Sequence, residues 1–485
     1  MTCNIQTDTP DFAKEMADVI SLFYGRVELV DEQAELICCH TDMQEGSTRA
    51  SRVVLSGVVS ASAQAEGPVS SDALTDKRVH KRQVKSALYQ ALKQATGMHP
   101  PWGSLTGIRP TRLVYARMQQ GRTLEQACQW AQNTFDLTAA KTDLLYQVVQ
   151  VQQSLPQPQP QDVDIYIGIP FCTTRCRYCS FISAQVGNGK LLAPYTQALL
   201  AEMDRAMALV KHHGLRVRAF YMGGGTPTSL PADLLDAILT KARPWLEVAL
   251  EATVEAGRPD TIDRHKLNVL RRHGIRRISI NPQTMHDSTL AVIGRAHTRQ
   301  QTEDAYALAR ELGFDHINMD LIAGLPGETL DMFHQTLEWA GTLCPENLTV
   351  HSLCIKRSSD MHRWQDSLPS GSVVENMVDA GARAAQDVGM RAYYLYRQKH
   401  MAGNLENVGY ALPGTACLYN VDTMEDTVSI LAMGAGGISK RVWPDRVFIK
   451  RAPNVKEIAH YTARVQEMAD RKDDLWQSDR PDYSS

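Results

Sequence analysis

The chain has 485 residues and a formal net charge of −3, with 43% hydrophobic, 22% charged and 7% aromatic residues, so length predicts two or three domains and ordinary composition excludes disorder and fibrous repeats. The near-neutral balance, without a long Lys/Arg run, excludes a basic field for nucleic acid. No stretch of about 18 apolar residues could span a bilayer, and the opening MTCNIQTDTPDFAKEM lacks the basic and apolar regions of a signal peptide, so a cytoplasmic location is expected.

In chain order, RVELV (26–30) and the run 34–60 alternate with β-branched character, while 76–98 and 123–155 carry helical periodicity. PPWGSLTGIRPTRL, between them, is rich in turn formers and leads into a short helix from Pro110. Residues 1–153 therefore read as a small α+β domain. SLPQPQPQD alternates Pro and Gln, which predicts an extended linker over 154–162. From 163 to 389 short apolar runs alternate with helix-length segments, the pattern of βαβ units around a parallel sheet. The runs are DIYIGIPF, AFYMGGG, EVALEATV, RISINPQT, HINMDLIAGLP and LTVHSLCI, with helices near 190–213, 231–243, 259–273, 299–312, 328–343 and 371–388. The fold class is thus α/β, a partial six-unit TIM-like (β/α)6 barrel with a small N-terminal α+β domain. Residues 390–485 read as a C-terminal α+β extension associated with substrate.

Ten cysteines are scattered rather than laid out as a disulfide framework, except that FCTTRCRYC places Cys172, Cys176 and Cys179 within eight residues directly after a strand. A CxxxCxxC loop wraps three thiolates around one face of an iron-sulfur cube and leaves one iron open to a small ligand. Zinc normally takes a fourth Cys or His nearby, and Ser180-Phe181-Ile182-Ser183 supplies none. Three consecutive glycines in FYMGGGTPTSL mark a strand end where backbone approaches a ligand or turns tightly. Glu255, Gln283, Arg295 and Asp320 fall on or near strand ends, the address of chemistry in β/α barrels.

With Tyr178 as the aromatic before the last Cys, the loop resembles the signature of the radical S-adenosylmethionine (SAM) superfamily. The order YIGIPFC, GGGTPT, NPQT, IGRAHT and MDLIAGLPGET resembles its oxygen-independent coproporphyrinogen III oxidase-like branch. PWGSLTGIRPTRL and YYLYRQKHMAGNLENVGYA extend the resemblance to the HemZ-type coproporphyrinogen dehydrogenases. The resemblance implies a 4Fe-4S cluster on Cys172, Cys176 and Cys179, with Tyr166 and Tyr178 beside it. It implies S-adenosyl-L-methionine held by Gly224, Gly225, Thr226, Glu255, Gln283, Arg295 and Asp320. The implied reaction is oxygen-independent oxidative decarboxylation of coproporphyrinogen III propionates to vinyl groups, giving protoporphyrinogen IX in porphyrin biosynthesis. An electron donor such as flavodoxin or ferredoxin would serve it, with no nucleic acid and no membrane span.

The well-established oxidases of the branch carry a further Cys two residues after the last ligand and a His in the YxHxPFC position, where this chain has Phe181 and Gly168. Heme chaperones of the branch also lack the extra Cys, so a heme-binding chaperone is the alternative reading. Arg391, Arg397, Lys399 and His400 are candidates to hold propionates, against the plainer reading of solvated surface charge. Cys417 is a thiol to watch, while Cys38, Cys39, His297 and His351 read as structural.

Overall fold

The computed structural model describes residues 1–107, 109–181, 183–354, 368–398, 402–444 and 448–479. Two compact units are present: Met1–Val149 with Arg397–Leu405, and the remainder of the chain from Gln150. The division falls inside a helix, Ala139–Ser154, rather than in the Pro/Gln segment that follows it.

In the first unit, β1 (Thr2–Thr7) lies parallel between β2 (Glu28–Leu29) and β3 (Leu36–Glu45). β4 (Thr48–Gly57) and β5 (Ala61–Pro68) continue the sheet antiparallel. β3 and β4 meet at Glu45 and Thr48 across a two-residue turn whose Gly46 has φ +58°, a left-handed conformation natural to glycine. Leu36, Cys38, Val53 and Leu55 share a core with Met16, Val19 and Ile20 of α1 (Ala13–Tyr24) and Val84, Leu88 and Leu92 of α2 (Ala73–Thr96). The expected strands over 34–60 are β3 and β4. β1, α1 and β5 were not anticipated: ASAQAEGP has no β-branched or aromatic side chain, and TCNIQT, though it holds Thr2, Ile5 and Thr7, is short and polar and shows no apolar run.

α3 (Thr111–Met118) begins after Pro110, as expected. The helical periodicity over 123–155 is borne by two helices, α4 (Leu124–Phe135) and α5 (Ala139–Ser154). Thr123 caps α4 with a capping box, and Asp136 ends it in the left-handed region at φ +57°. Tyr89 Oη and Lys93 Nζ donate to Asp136 Oδ2 at 2.8 and 2.5 Å, which fixes the break.

The second unit is built on one eleven-stranded sheet. Its centre is six parallel strands that neighbour one another in chain order: β6 (Asp162–Ile169), β9 (Arg216–Gly224), β10 (Glu251–Gly257), β11 (Arg277–Ile280), β12 (His316–Ala323) and β13 (Asn347–Ser352). β7 (Phe171–Cys172) and β8 (Ala184–Gln185) form a small separate pair after β6. The connecting helices are α6 (Leu192–His212), α7 (Ala232–Leu246), α8 (Arg264–Arg272), α9 (Asp287–Val292), α10 (Arg299–Glu311) and α11 (Leu330–Thr342), followed by α12 (Gly371–Asp387). β6 is buried along nearly its whole length, as a parallel strand covered on both faces requires. The six expected β/α units are therefore present.

The C-terminal part extends both edges of this sheet. β14 (Arg391–Tyr396) and β15 (Asn407–Ala411) continue it beyond β13, with β15 antiparallel to both. After α13 (Leu418–Glu425), β16 (Ser429–Met433) pairs parallel with β6, and β17 (Ile438–Val442) and β18 (Ile449–Pro453) follow antiparallel. α14 (Ile458–Ala463) and α15 (Val465–Gln477) close the described chain. Lys472 of α15 places its ammonium 2.5 Å from Glu202 of α6, both buried, and Tyr461 Oη donates to the same carboxylate at 2.6 Å. No helix among the described residues is long and apolar enough to cross a membrane.

Candidate active site

Cys172 ends β7 at the C-terminal edge of the sheet, and the thiol loop runs on through Cys176 to Cys179. Its backbone is tied down from neighbouring β/α units. Arg177 N donates to Ile293 O at 2.9 Å, Thr174 Oγ1 to Gly294 O at 3.2 Å, and Cys179 N to Cys176 O at 3.1 Å. Arg258, just after β10, is almost fully buried and donates to Thr174 O at 3.1 Å and to Cys176 Sγ at 3.6 Å. Asp260 holds that guanidinium at 3.0 Å and accepts from Thr173 Oγ1 at 2.7 Å. Arg258 and Asp260 were not singled out in the sequence; the only signal was their place, GRPD, at a strand end.

Cys172 Sγ lies 3.5 Å from Thr226 Oγ1. Burial raises the Cys172 and Cys179 thiols above their ordinary range, so metal ligation must displace their protons, and nearby guanidinium charge favours the thiolates. Tyr178 Oη accepts from Arg295 Nε and Nη2 at 3.2 and 3.0 Å. Arg295 Nη1 is buried with no hydrogen-bond partner, an orphaned cationic donor beside the loop that a carboxylate-bearing ligand would satisfy.

The glycine run forms the second wall. Gly224 has φ +114°, and its Cα region lies against the Ile169 backbone. A Cβ on Gly225 would stand 2.6 Å from Phe171 O, and one on Gly223 2.8 Å from the Glu255 carboxylate. Only glycine permits both approaches. Gly225 N donates to Ile169 O at 2.8 Å and Thr226 N to Phe171 O at 2.7 Å, so the run is stitched to the strand that carries the thiols.

Glu255 accepts from Tyr221 Oη at 2.6 Å. Burial pushes its carboxyl up to about 7, with the charge of Asp320 adding to the rise and the Tyr221 hydrogen bond opposing it. Asp320 is different. Burial would raise it, yet His351, with Asn318 and Thr349, outweighs this and holds it below the usual carboxylate range. Asn318 Nδ2 donates to it at 2.7 Å, and His351 Nε2 stands 3.8 Å away. His351, read from the sequence as a packed or surface residue, is thus a neighbour of Asp320 at the site. Gln283 takes φ +71° three residues past β11; its N donates to Asp320 O and its O accepts from Ile322 N, both at 3.0 Å. A non-glycine residue in the left-handed region persists where its surroundings fix it, and such strain concentrates at functional sites.

Tyr166 on β6 stacks with Tyr221 (centroids 6.4 Å) and Tyr419 (6.1 Å), and those two rings lie 4.3 Å apart. Tyr221 and Tyr419 complete the aromatic lining beside Glu255. Tyr419 carried no sequence signal, being nearly 200 residues from the motifs that it joins. His297 is buried and neutral, its imidazole pushed down to about 3 by burial and by Arg295. Cys417 donates from Sγ to Glu251 Oε1 at 3.0 Å and stays protonated because burial raises it far above the ordinary thiol range.

Of the candidate propionate cations, the two among the described residues, Arg391 and Arg397, do not stand at this rim. Arg391 pairs with Ala411, opposite Asn347 at the start of β13, which is the N-terminal end of the barrel, and its guanidinium meets Gln150 Oε1. Arg397 is buried and donates to Leu105 O at 2.6 Å and Asn404 O at 2.7 Å, with its guanidinium 5.2 Å from the Trp102 ring. It is a structural cation of the N-terminal unit. Lys399 and His400 lie outside the described residues.

Residues 166–340 match the Radical SAM superfamily. Over 477 residues the chain is 37% identical to the Bacillus subtilis (strain 168) oxygen-independent coproporphyrinogen-III oxidase-like protein HemZ, spanning 95% of this chain and 94% of that one. Heme chaperone HemW of Escherichia coli (strain K12) is 29% identical over 285 residues, 58% of this chain and 71% of HemW. Among solved structures, the coproporphyrinogen III oxidase HemN from Escherichia coli, described as a radical SAM enzyme, shares the fold. Its TM-score is 0.52 at 22% identity, over 66% of this chain and 72% of that chain.

Proposed function

Because the chain belongs to the radical SAM superfamily and, within it, to the HemZ-type oxygen-independent coproporphyrinogen III oxidase-like proteins, we propose that it oxidatively decarboxylates coproporphyrinogen III propionates to vinyl groups. Members of the superfamily use a 4Fe-4S cluster and S-adenosylmethionine, which together supply a 5'-deoxyadenosyl radical that takes a hydrogen atom from the substrate. The observation that carries the substrate reading is the likeness to HemZ over nearly the whole chain. A low-potential donor such as flavodoxin or ferredoxin provides the electron for SAM cleavage.

In this reading Cys172, Cys176 and Cys179 hold the cluster, and Arg258 keeps Cys176 in place through its 3.6 Å contact. Gly224, Gly225 and Thr226, stitched to Ile169 and Phe171, would lie alongside the methionine part of S-adenosylmethionine. Glu255 takes the ammonium of S-adenosylmethionine, Arg295 takes a carboxylate on its unpartnered Nη1, and Gln283 and Asp320 face the nucleoside by hydrogen bonding. Tyr166 and Tyr178 would stand beside the cluster, and the stacked Tyr166, Tyr221 and Tyr419 rings would keep water from the site beside Glu255.

Glu255 makes one part of this measurable. A carboxyl that titrates near 7 in the empty site and binds a cation only when ionised must lose its proton on binding. Affinity for S-adenosylmethionine is therefore full above about pH 7 and falls about tenfold per pH unit below it. Calorimetric titration across that range on the cluster-loaded protein checks this. Glu255→Gln should bind more weakly with a flat profile; a variant that keeps the wild-type slope assigns the proton elsewhere.

Anaerobic incubation of the reconstituted protein with reductant, S-adenosylmethionine, coproporphyrinogen III and a one-electron acceptor, which takes the electron left after hydrogen-atom removal and loss of carbon dioxide, is expected to give deoxyadenosine, methionine, carbon dioxide and protoporphyrinogen IX. Deoxyadenosine without a vinyl product would overturn the substrate while leaving the radical chemistry. The likeness to HemW favours a second reading, a heme-binding protein without decarboxylation. Stoichiometric heme binding with no turnover of coproporphyrinogen III is the result that would select it.

A further inference from the structure

The N-terminal unit contains a cluster that the barrel chemistry does not use. His40 and Asp42 stand two residues apart on β3, and therefore on the same face, the face whose Leu36 and Cys38 pack into the core with α2. His80 on α2 completes the group, and one ligating atom from each of the three side chains lies within 4.8 Å of the others. His80 Nε2 is 2.7 Å from Asp42 Oδ2, and His40 Nε2 is 3.2 Å from Asp42 Oδ1.

We propose that His40, Asp42 and His80 bind one divalent transition-metal ion of the zinc class. The His40 side chain is fully buried, and its Nε2 has no hydrogen-bond partner of acceptable geometry, a cost that a metal ion would remove. Thr7 Oγ1 lies 2.9 Å from Nδ1 of the same ring. When that hydroxyl accepts from Nδ1–H, the lone pair is left on Nε2, the atom facing Asp42; outer-shell partners orient metal-ligating histidines in this way. Asp42 is held in turn by Ser51 Oγ at 2.6 Å and Thr9 Oγ1 at 3.0 Å, and its backbone N donates to Asp8 Oδ2 at 2.9 Å. The Phe12 ring meets the His80 ring edge-on at 5.1 Å and restricts it.

Two imidazoles and one carboxylate are a borderline donor set, suited to zinc and its first-row neighbours rather than to calcium or magnesium. Tetrahedral zinc places its ligand atoms about 3.3 Å apart, so binding would open the 2.7 Å His80–Asp42 contact and draw the two imidazoles, whose ligand atoms already lie within 4.8 Å, toward one ion. The Asp42 and His80 side chains, 18% and 14% exposed, give the ion a path in and leave the fourth position to water. The site would clamp β3 to α2, independently of the cluster loop.

The test uses the full chain with its iron-sulfur cluster loaded, so that the thiol loop is occupied, and zinc as the probe. After incubation with zinc and dialysis, wild type should retain about one zinc per chain, and its zinc-edge X-ray absorption should show nitrogen and oxygen neighbours with imidazole scattering and no sulfur. His80→Gln and Asp42→Asn should each retain zinc at least about tenfold more weakly, with unchanged circular dichroism. Sulfur in the zinc shell, no zinc retained by wild type, or wild-type retention in both variants would each overturn the proposal. Absence of zinc would leave the trio a hydrogen-bonded network only. The absorption spectrum of wild type decides the ligand set even if a variant fails to fold.

Discussion

Cys176→Ala is expected to lose the iron-sulfur charge-transfer absorption and to form no deoxyadenosine above background, and Cys172→Ala and Cys179→Ala are expected to do the same. With Cys172, Cys176 and Cys179 as the three proposed ligands, removal of any one would leave two, and neither Ser180 nor Phe181 would substitute. Arg258→Met should behave differently. It removes the cation that contacts Cys176 and the Thr174 carbonyl without removing a ligand, so cluster retention should weaken by about 10–100-fold rather than vanish. Cys417→Ala should keep the cluster, since that thiol is buried against Glu251. Iron and sulfide content after anaerobic reconstitution, measured alongside deoxyadenosine, separates these outcomes; a cysteine variant that retained both would not be a ligand.

Arg218→Met should produce the largest loss of stability, about 3–5 kcal/mol, because it strands a buried charge. Arg218 on β9 donates to Asp422 Oδ2 at 2.7 Å and to Pro156 O at 2.7 Å, and the two ionic side chains are only 3% and 2% exposed. Asp164 lies near them with neither carboxyl oxygen hydrogen-bonded, its pKa raised by burial and then by the charge of Asp422. Asp422 is itself raised, by burial, with Arg218 opposing. Without the guanidinium, Asp422 rises further and the folded protein holds a proton that the unfolded chain releases at neutral pH. Stability of the variant should therefore be higher near pH 5 than near pH 8, falling as pH rises through the folded-state value. Denaturant unfolding at the two pH values measures this. Pairing it with Asp422→Leu should recover most of the loss, since a buried pair replaced by apolar groups is far cheaper than one broken. A single variant with wild-type stability would show that the pair is solvated.

Both predictions bear on how much of this protein was readable before folding. The thiol loop and glycine run were legible because their chemistry is local: eight consecutive residues carry all three thiols, and three adjacent glycines carry the close approaches to Phe171 and Glu255. The six core strands were legible because a strand buried on both faces must be a continuous apolar run. β1 and β5 were not: β5 has no β-branched or aromatic side chain, and β1 is a short polar strand placed by its pairing with β2 and β3 rather than marked by an apolar run. The break between α4 and α5 was hidden because Asp136 stops the helix through contacts with Tyr89 and Lys93, more than forty residues away.

The sequence by itself determined the superfamily, the cofactor class and the β/α order, all properties of short motifs and of periodicity. Tertiary structure alone decided which distant groups serve the site: Arg258 against Cys176, His351 against Asp320, Tyr419 against Tyr221, and Arg397 bound to carbonyls rather than free for a propionate. It also turned the C-terminal residues into both edges of the central sheet. The physical reason is the same in each case. A hydrogen bond, an ion pair or a strand pairing depends on distance in space, and once a parallel sheet folds, residues two hundred positions apart stand closer than those in adjacent turns of a helix.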